Sequence, residues 1–301
     1  MTDLRVRVPA TSANLGPGFD SFGLALPIVA EFELRPARTW SVAVDGVAEG
    51  IPAGEDNLFI VGARATAKAI GAPLPAQHIT QRSAIPLGRG LGSSAAAIVG
   101  GVVAANAMLG EPLERRALLR IAANVEGHAD NVAAALYGAF TVAVPHQDGP
   151  VAVRLSFPAA WRICLLVPAM PLATEKARGV LPAQVSRADA IFNLAHASAL
   201  VAAVLKADGA LLRVAMRDRL HQPARLRLVP ALDDVVRAAT DAGAFGAALS
   251  GAGPTVLAVA PVRLAARVIA AMEEASAQAG APGRGRIVRV RAAGAQVARG
   301  S

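Results

Sequence analysis

Apolar and polar positions alternate over Arg5–Thr11 (RVRVPAT), which predicts a strand. Ser12–Leu26 breaks that alternation with Gly16, Pro17, Gly18 and Gly23 and reads as a loop. Strand patterns return over Ile28–Arg35 and Ser41–Val47. Asp56-Asn57 then precedes LFIVGARATAKAI, a helix capped by its polar start. His78–Ile85 reads as a strand running into PLGRGLGSSAAA (Pro86–Ala97), after which an alanine-rich apolar run continues as a helix to Leu109. Leu113–Val125 is the next helix. AFTVAV and VAVRL flank PHQDGP as a hairpin, with Asp148-Gly149 as its turn pair. Beyond it, Trp161–Pro168 (WRICLLVP) reads as a buried strand. Thr174–Leu181, Ala188–Leu205, Ala231–Ala242 and Arg263–Ala279 read as helices, and Phe245–Ser250 and Thr255–Ala260 as strands around GAGP. Arg286–Arg291 alternates as a last strand. Strands and helices mix without a regular βαβ repeat, so the expected class is α+β, in two parts divided at 155/156.

Composition narrows the reading. At 301 residues, 54% hydrophobic and 17% charged, the chain can bury a sizeable core and does not read as disordered. No apolar run is long enough to cross a bilayer without Gly, Pro or charge, and no charged-then-apolar segment opens the chain, so a cytoplasmic protein with no membrane partner is expected. The single cysteine, Cys164, lies among aliphatic residues and reads as core. The net charge of +8 favours anionic partners. Arginines supply nearly all of it and are scattered, with few aromatics among them, which argues against nucleic acid as a partner.

The most informative stretch is Pro86–Ala97. Gly88, Gly90 and Gly92 permit left-handed backbone and close approach to a ligand, and Ser93 or Ser94 can cap the helix that follows. A glycine-rich turn feeding a helix N-terminus predicts a phosphate cradle. No lysine lies between Lys68 and Lys176, which excludes a Walker loop, and Ser93 stands where a dinucleotide fingerprint needs its third glycine.

The pattern Pro-x-x-x-Gly-Leu-Gly-Ser-Ser-Ala-Ala resembles the ATP loop of the GHMP family of small-molecule kinases. Pro86, Gly90, Leu91, Gly92, Ser93, Ser94, Ala95 and Ala96 match position by position. The resemblance makes the loop, with Leu87, Gly88 and Arg89, the nucleotide site. It implies a ribosomal-protein-like N-terminal domain (1–155) and a ferredoxin-like C-terminal domain (156–301), with ATP, Mg²⁺ and commonly a homodimer. PATSANLGPGFDSFGLAL is similar to the start of the homoserine-kinase branch. That likeness implies L-homoserine as the acceptor, its ammonium on Asp20 and its oxygens near Asn14. In EGHADNVAAALYG it implies Mg²⁺ on Glu126 and a loop hydroxyl, Ser94 rather than Ser93. His128, Asp130 and Asn131 match a His-x-Asp-Asn motif beside the substrate hydroxyl, with Asp130 either a base or a positioning group. TEKARGVLP resembles a segment whose arginine, here Arg178, reaches the transferring phosphate. HQPARLRLVP resembles one whose arginine binds the substrate carboxylate. Arg225 is the expected residue, with Arg227 two positions on. LSGAGPTVLAV resembles a glycine turn that packs beside the phosphate loop.

Three other readings stand beside this one. Another kinase of the family could act on a mevalonate-like, sugar or shikimate-type alcohol. A nucleotide- or RNA-binding protein could keep the fold without the chemistry. A reductase is opposed by the failed dinucleotide pattern.

Overall fold

The computed structural model describes residues 3–46 and 50–299. Val47, the expected end of the third strand, lies outside them. The chain opens with β1 (Leu4–Asn14) and β2 (Gly18–Pro36), one long antiparallel hairpin whose register runs from Leu4↔Leu34 to Asn14↔Gly18. Only residues 15–17 turn, so the loop expected over Ser12–Leu26 is corrected to strand almost throughout. The alternation fails there because Val8–Asn14 is buried on both faces. Gly23 is a packing glycine rather than a turn residue: a Cβ on it would lie 2.2 Å from the Asp130 carbonyl oxygen.

β3 (Ser41–Gly46), α1 (Leu58–Ile70) and β4 (Gln77–Ser83) follow, with β3 and β4 parallel across the helix. Asn57 caps α1 as expected, its Oδ1 accepting from the Phe59 N–H at 2.9 Å. α2 (Ser93–Met108) is buried on nearly every side, as a helix apolar all round must be. Its N-cap is Gly92, with no side-chain cap, so neither Ser93 nor Ser94 caps it. α3 (Arg115–Glu126) and α4 (Asp130–Tyr137) lead to the expected hairpin of β5 (Phe140–Val144) and β6 (Val151–Leu155).

β7 (Trp161–Pro168) starts a second sheet. After it come α5 (Thr174–Gly179), α6 (Arg187–Lys206), α7 (Gly209–Ala215) and α8 (Gln222–Arg225). Then α9 (Leu232–Asp241), β8 (Gly246–Leu249), β9 (Val256–Pro261), α10 (Ala265–Gln278) and β10 (Gly283–Val288) complete it in the order β10-β7-β9-β8. With α5–α8 set aside, this is a β-α-β-β-α-β unit, the ferredoxin-like arrangement. β11 (Gln296–Arg299) then returns to pair with β1, so the chain's last strand sits in the first sheet, across the expected 155/156 division. α6 packs on α7 and α7 on β8, and their Leu200, Val204 and Leu212 join a core cluster that both sheets share.

In α6 the longest apolar stretch is bounded by Asp189 and Lys206, in keeping with the expectation. By length and composition alone the helix could cross a membrane. Here its inner side is packed, and Asn193 on that side is buried and hydrogen-bonded. Cys164 is buried as expected, and burial pushes its thiol up to about 12.

Candidate active site

The glycine turn sits where the two sheets meet. Gly88, Gly90 and Gly92 have φ of 61°, 68° and 69°, the left-handed region. A Cβ on Gly90 would lie 2.2 Å from the Ser250 carbonyl oxygen, so the turn passes against the backbone of the β8–β9 connection. Ser250 Oγ donates to the Gly90 carbonyl at 2.7 Å, Thr11 N–H to that of Leu91 at 3.0 Å, and Leu172 N–H to that of Gly88 at 2.8 Å. The loop is thus fixed by both halves of the chain. Leu91, Ala95 and Ala96 are buried anchors, and the Ala96 N–H donates to the Gly92 carbonyl at 2.9 Å. α2 begins without a side-chain cap, and the first N–H groups of a helix have no partner within it. Arg89 differs from expectation. Its guanidinium donates to the carbonyls of Leu87, Pro168 and Ala169, tying the loop to the end of β7.

A cavity of about 260 Å³ runs along this turn and is lined by Asn14, Asp20, Pro86–Ser94, Glu126, His128, Asp130, Asn131, Arg178 and Arg225. Ala95 and Ala96 are the only sequence-predicted site residues behind its wall. At one side Ser94 Oγ donates to Glu126 Oε1 at 2.6 Å. Burial raises the Glu126 carboxyl, while the Ser94 hydrogen bond and the nearby imidazole oppose the rise. A buried carboxylate beside a hydroxyl, both hard oxygen donors, fits a divalent cation.

Beyond it, Asp130 opens α4 and is buried. His128 Nδ1 lies 2.6 Å from Asp130 Oδ1, and His128 Nε2 lies 3.8 Å from Glu126 Oε1. Burial alone would depress the imidazole; the Asp130 hydrogen bond and the two carboxylates outweigh it, and its pKa rises. Asn131 is held by Thr11, whose Oγ1 donates to Asn131 Oδ1 at 2.8 Å.

The other wall comes from the opening hairpin, α5 and α8. Asn14 (φ 71°) and Asp20 (φ 53°) are both left-handed, and Asp20 N–H donates to Asn14 Oδ1 at 3.1 Å. Asn14 Nδ2 donates to the Gly251 carbonyl, so the glycine turn expected beside the loop also positions Asn14. Arg178 grips Asp20 with both terminal nitrogens, at 2.7 and 3.1 Å. The Asp20 hydrogen bond raises the guanidinium pKa further. Arg225 is buried; it donates to the carbonyls of Ala177 and Gly251 and to His221 Nδ1, each at 3.1 Å. Burial and the facing Arg178 charge lower it to about 10. Arg227, the alternative, is exposed and does not line the cavity.

Among the lining residues that sequence reasoning did not assign, Phe19 and Gln81 stand out by their contacts. The Phe19 ring stacks on His221 at 5.2 Å and lies under both Arg178 and Arg225. Gln81, on β4 at the far end of the cavity, is buried, and its Oε1 has no hydrogen-bond partner. Phe19 lies inside the opening motif without a role assigned to it there, and no motif marks Gln81.

Comparison with known proteins bears on what such a cavity does. Residues 57–139 match the family described as GHMP kinases N terminal domain, and residues 200–278 match GHMP kinases C terminal. The chain is 42% identical to a homoserine kinase of Desulfitobacterium hafniense over 98% of its length and 99% of that protein's. It is 46% identical to a homoserine kinase of Deinococcus radiodurans, over 84% of this chain and 82% of that one. The crystal structure of homoserine kinase from Cytophaga hutchinsonii superposes with a TM-score of 0.89 at 32% identity, covering 99% and 98% of the two chains.

Proposed function

The chain belongs to the GHMP kinases, and from that premise we propose that it transfers the γ-phosphoryl group of ATP to the side-chain hydroxyl of L-homoserine, giving O-phospho-L-homoserine and ADP in threonine biosynthesis. One observation carries the reading: a single cavity joins an uncapped helix start on a glycine turn to a cluster of acid, imidazole and two arginines. The first end suits polyphosphate and the second suits a zwitterionic amino acid.

On this reading the N–H groups of the glycine turn and the start of α2 hold the phosphates. Glu126 and Ser94 are the residues that would hold Mg²⁺, which when bound neutralises phosphate charge. Arg178 supplies further positive charge at the transferring group, and its present partner Asp20 marks how near it lies to the acceptor. Asp20 takes the ammonium, Asn14 orients the substrate oxygens, and Arg225 takes the carboxylate through Nη2, the terminal nitrogen that bonds to nothing among the described residues. Asp130, fixed by His128 and by the Asn131 N–H, faces the hydroxyl and either accepts its proton or aligns it. Positioning and charge neutralisation can supply most of phosphoryl-transfer catalysis, so both roles are consistent with the geometry. Gln81 and Asn57 lie at the end left for the nucleobase. The working form is taken to be a homodimer, in the cytoplasm.

An ADP-release assay across candidate alcohols tests the reading. L-Homoserine should give ADP and phosphohomoserine in equal amounts. Turnover of a mevalonate-like or sugar alcohol with homoserine left untouched would overturn it.

A further inference from the structure

α6 exposes three large hydrophobic side chains. Its inner side packs through Leu200, Ala203 and Val204. On the opposite side Ile191, Leu194 and Leu205 are 59%, 70% and 62% exposed. Ile191, Leu194, Ala195, Ser198, Ala202 and Leu205 recur at helical spacing and form one stripe about 21 Å long.

The stripe is nearly symmetric in spacing about Ser198: Leu194 and Ala202 lie four residues to either side, and Ile191 and Leu205 seven residues to either side, with Ala195 the one position unmatched. The helix ends carry matching charge. Arg187 and Asp189 open it, Lys206 closes it, and Asp208 follows two residues on as the N-cap of α7. Turned end for end about Ser198, a second α6 sets Ile191 against Leu205, Asp189 near Lys206, and Arg187 near Asp208. A parallel partner would set like charge against like and helix dipoles side by side. The small central residues allow the close approach such a crossing needs. A membrane surface fits less well, because the stripe has a serine at its middle and no aromatic or basic rim along it.

We propose that the α6 stripe is the two-fold interface of a homodimer, with two α6 helices antiparallel and Ser198 on the axis. This rests on the homodimer named above and specifies where its contact lies. The same helix holds Asn193 on its inner side, between Ile191 and Leu194. Asn193 Nδ2 donates to Asp218 Oδ1 at 2.7 Å and to the Pro17 carbonyl. The interface therefore lies directly behind the acceptor end of the cavity.

Two measurements on the full chain test the interface without any activity assay. Light scattering should give twice the 30.5 kDa chain mass, and Leu194→Glu should weaken association at least about a hundredfold, leaving a folded monomer. Under mild oxidation Ser198→Cys should form a disulfide-linked dimer, since residues on the axis come within disulfide reach. Leu205→Cys alone should not, but mixed with Ile191→Cys it should. Cys164 is buried and adds no background. A monomeric unaltered protein would overturn both the dimer and its interface. A dimer that survives Leu194→Glu and gives no Ser198→Cys link would keep the dimer and overturn this surface. Flotation of the unaltered monomer with phosphatidylglycerol vesicles would assign the stripe to a membrane and also overturn it.

Discussion

At the scale of single residues, three positions make predictions that separate function from stability. Glu126 is a buried carboxylate whose pKa is raised by desolvation, so its ionised form costs the folded chain stability above its unfolded value. Glu126→Gln removes that charge and leaves an amide oxygen for the Ser94 hydroxyl. Thermal unfolding should rise by about 2 °C or more in the nucleotide-free protein while turnover collapses, the trade-off expected of a ligand-holding acid. Asp20→Asn should raise the homoserine KM about ten- to hundredfold, the value of one charge-assisted bond, and leave the ATP KM nearly unchanged. Equal rises in both would remove Asp20 from the ammonium. His221 is fully buried. Its Nε2–H donates to the Gly16 carbonyl, Arg225 donates to its Nδ1, Phe19 stacks on it, and Asp218 and Asp20 lie nearby. Burial lowers its pKa from 6.5. The unfolded chain then takes up a proton that the folded chain refuses, so stability falls as pH drops below about 6.5, by up to about 1.4 kcal/mol per pH unit. His128, whose pKa is raised, contributes with the opposite sign over the same range, so the His221 part is read as a difference: in denaturant titrations at several pH values, His221→Gln should lose less stability on acidification than the unaltered protein.

At the scale of elements, the sequence was readable where a local signal dictates a local outcome. Asn57 before an amphipathic run, Asp148-Gly149 between alternating strands, and three glycines before an apolar helix all formed what they announce. Pattern failed where burial erased it. The inner half of the β1–β2 hairpin is covered on both faces, so nothing alternates, and its glycines serve packing as well as turning. Pairing of β11 with β1 joins the two ends of the chain, which no window of sequence contains. The site divides in the same way. The loop, Glu126 and the His-x-Asp-Asn run lie in short motifs. Phe19 and Gln81 enter through the path of their strands, and the anchoring of Arg89 on the β7 carbonyls needs a neighbour 79 residues away. The glycine turn yields the prediction proper to this scale. Gly90→Ala adds a Cβ at 2.2 Å from a backbone oxygen and at φ 68°. The turn must shift, so the ATP KM should rise at least tenfold, roughly 1.4 kcal/mol, with a smaller effect on homoserine.

At the scale of the whole molecule, the acceptor end of the cavity hangs on a relay that starts at the outer helix. Asn193 on α6 fixes Asp218; Asp218 Oδ2 accepts the N–H groups of His221 and Gln222 at 3.0 and 2.8 Å; His221 receives Arg225, whose guanidinium lines the cavity. Each member is packed, so a small rotation of α6 is carried inward rather than absorbed. A partner helix on the α6 stripe would hold that rotation still. The nucleotide end rests on different supports: α2, β1 and the β8–β9 turn. Breaking the dimer should therefore act on one substrate and spare the other. Leu194→Glu, at a 70% exposed position, should leave folding stability of the monomer and the ATP KM close to their starting values. The homoserine KM should rise about two- to tenfold, the range of coupling carried through a packed network. A monomer with both KM values unchanged would confine the interface to assembly and sever it from the acceptor site.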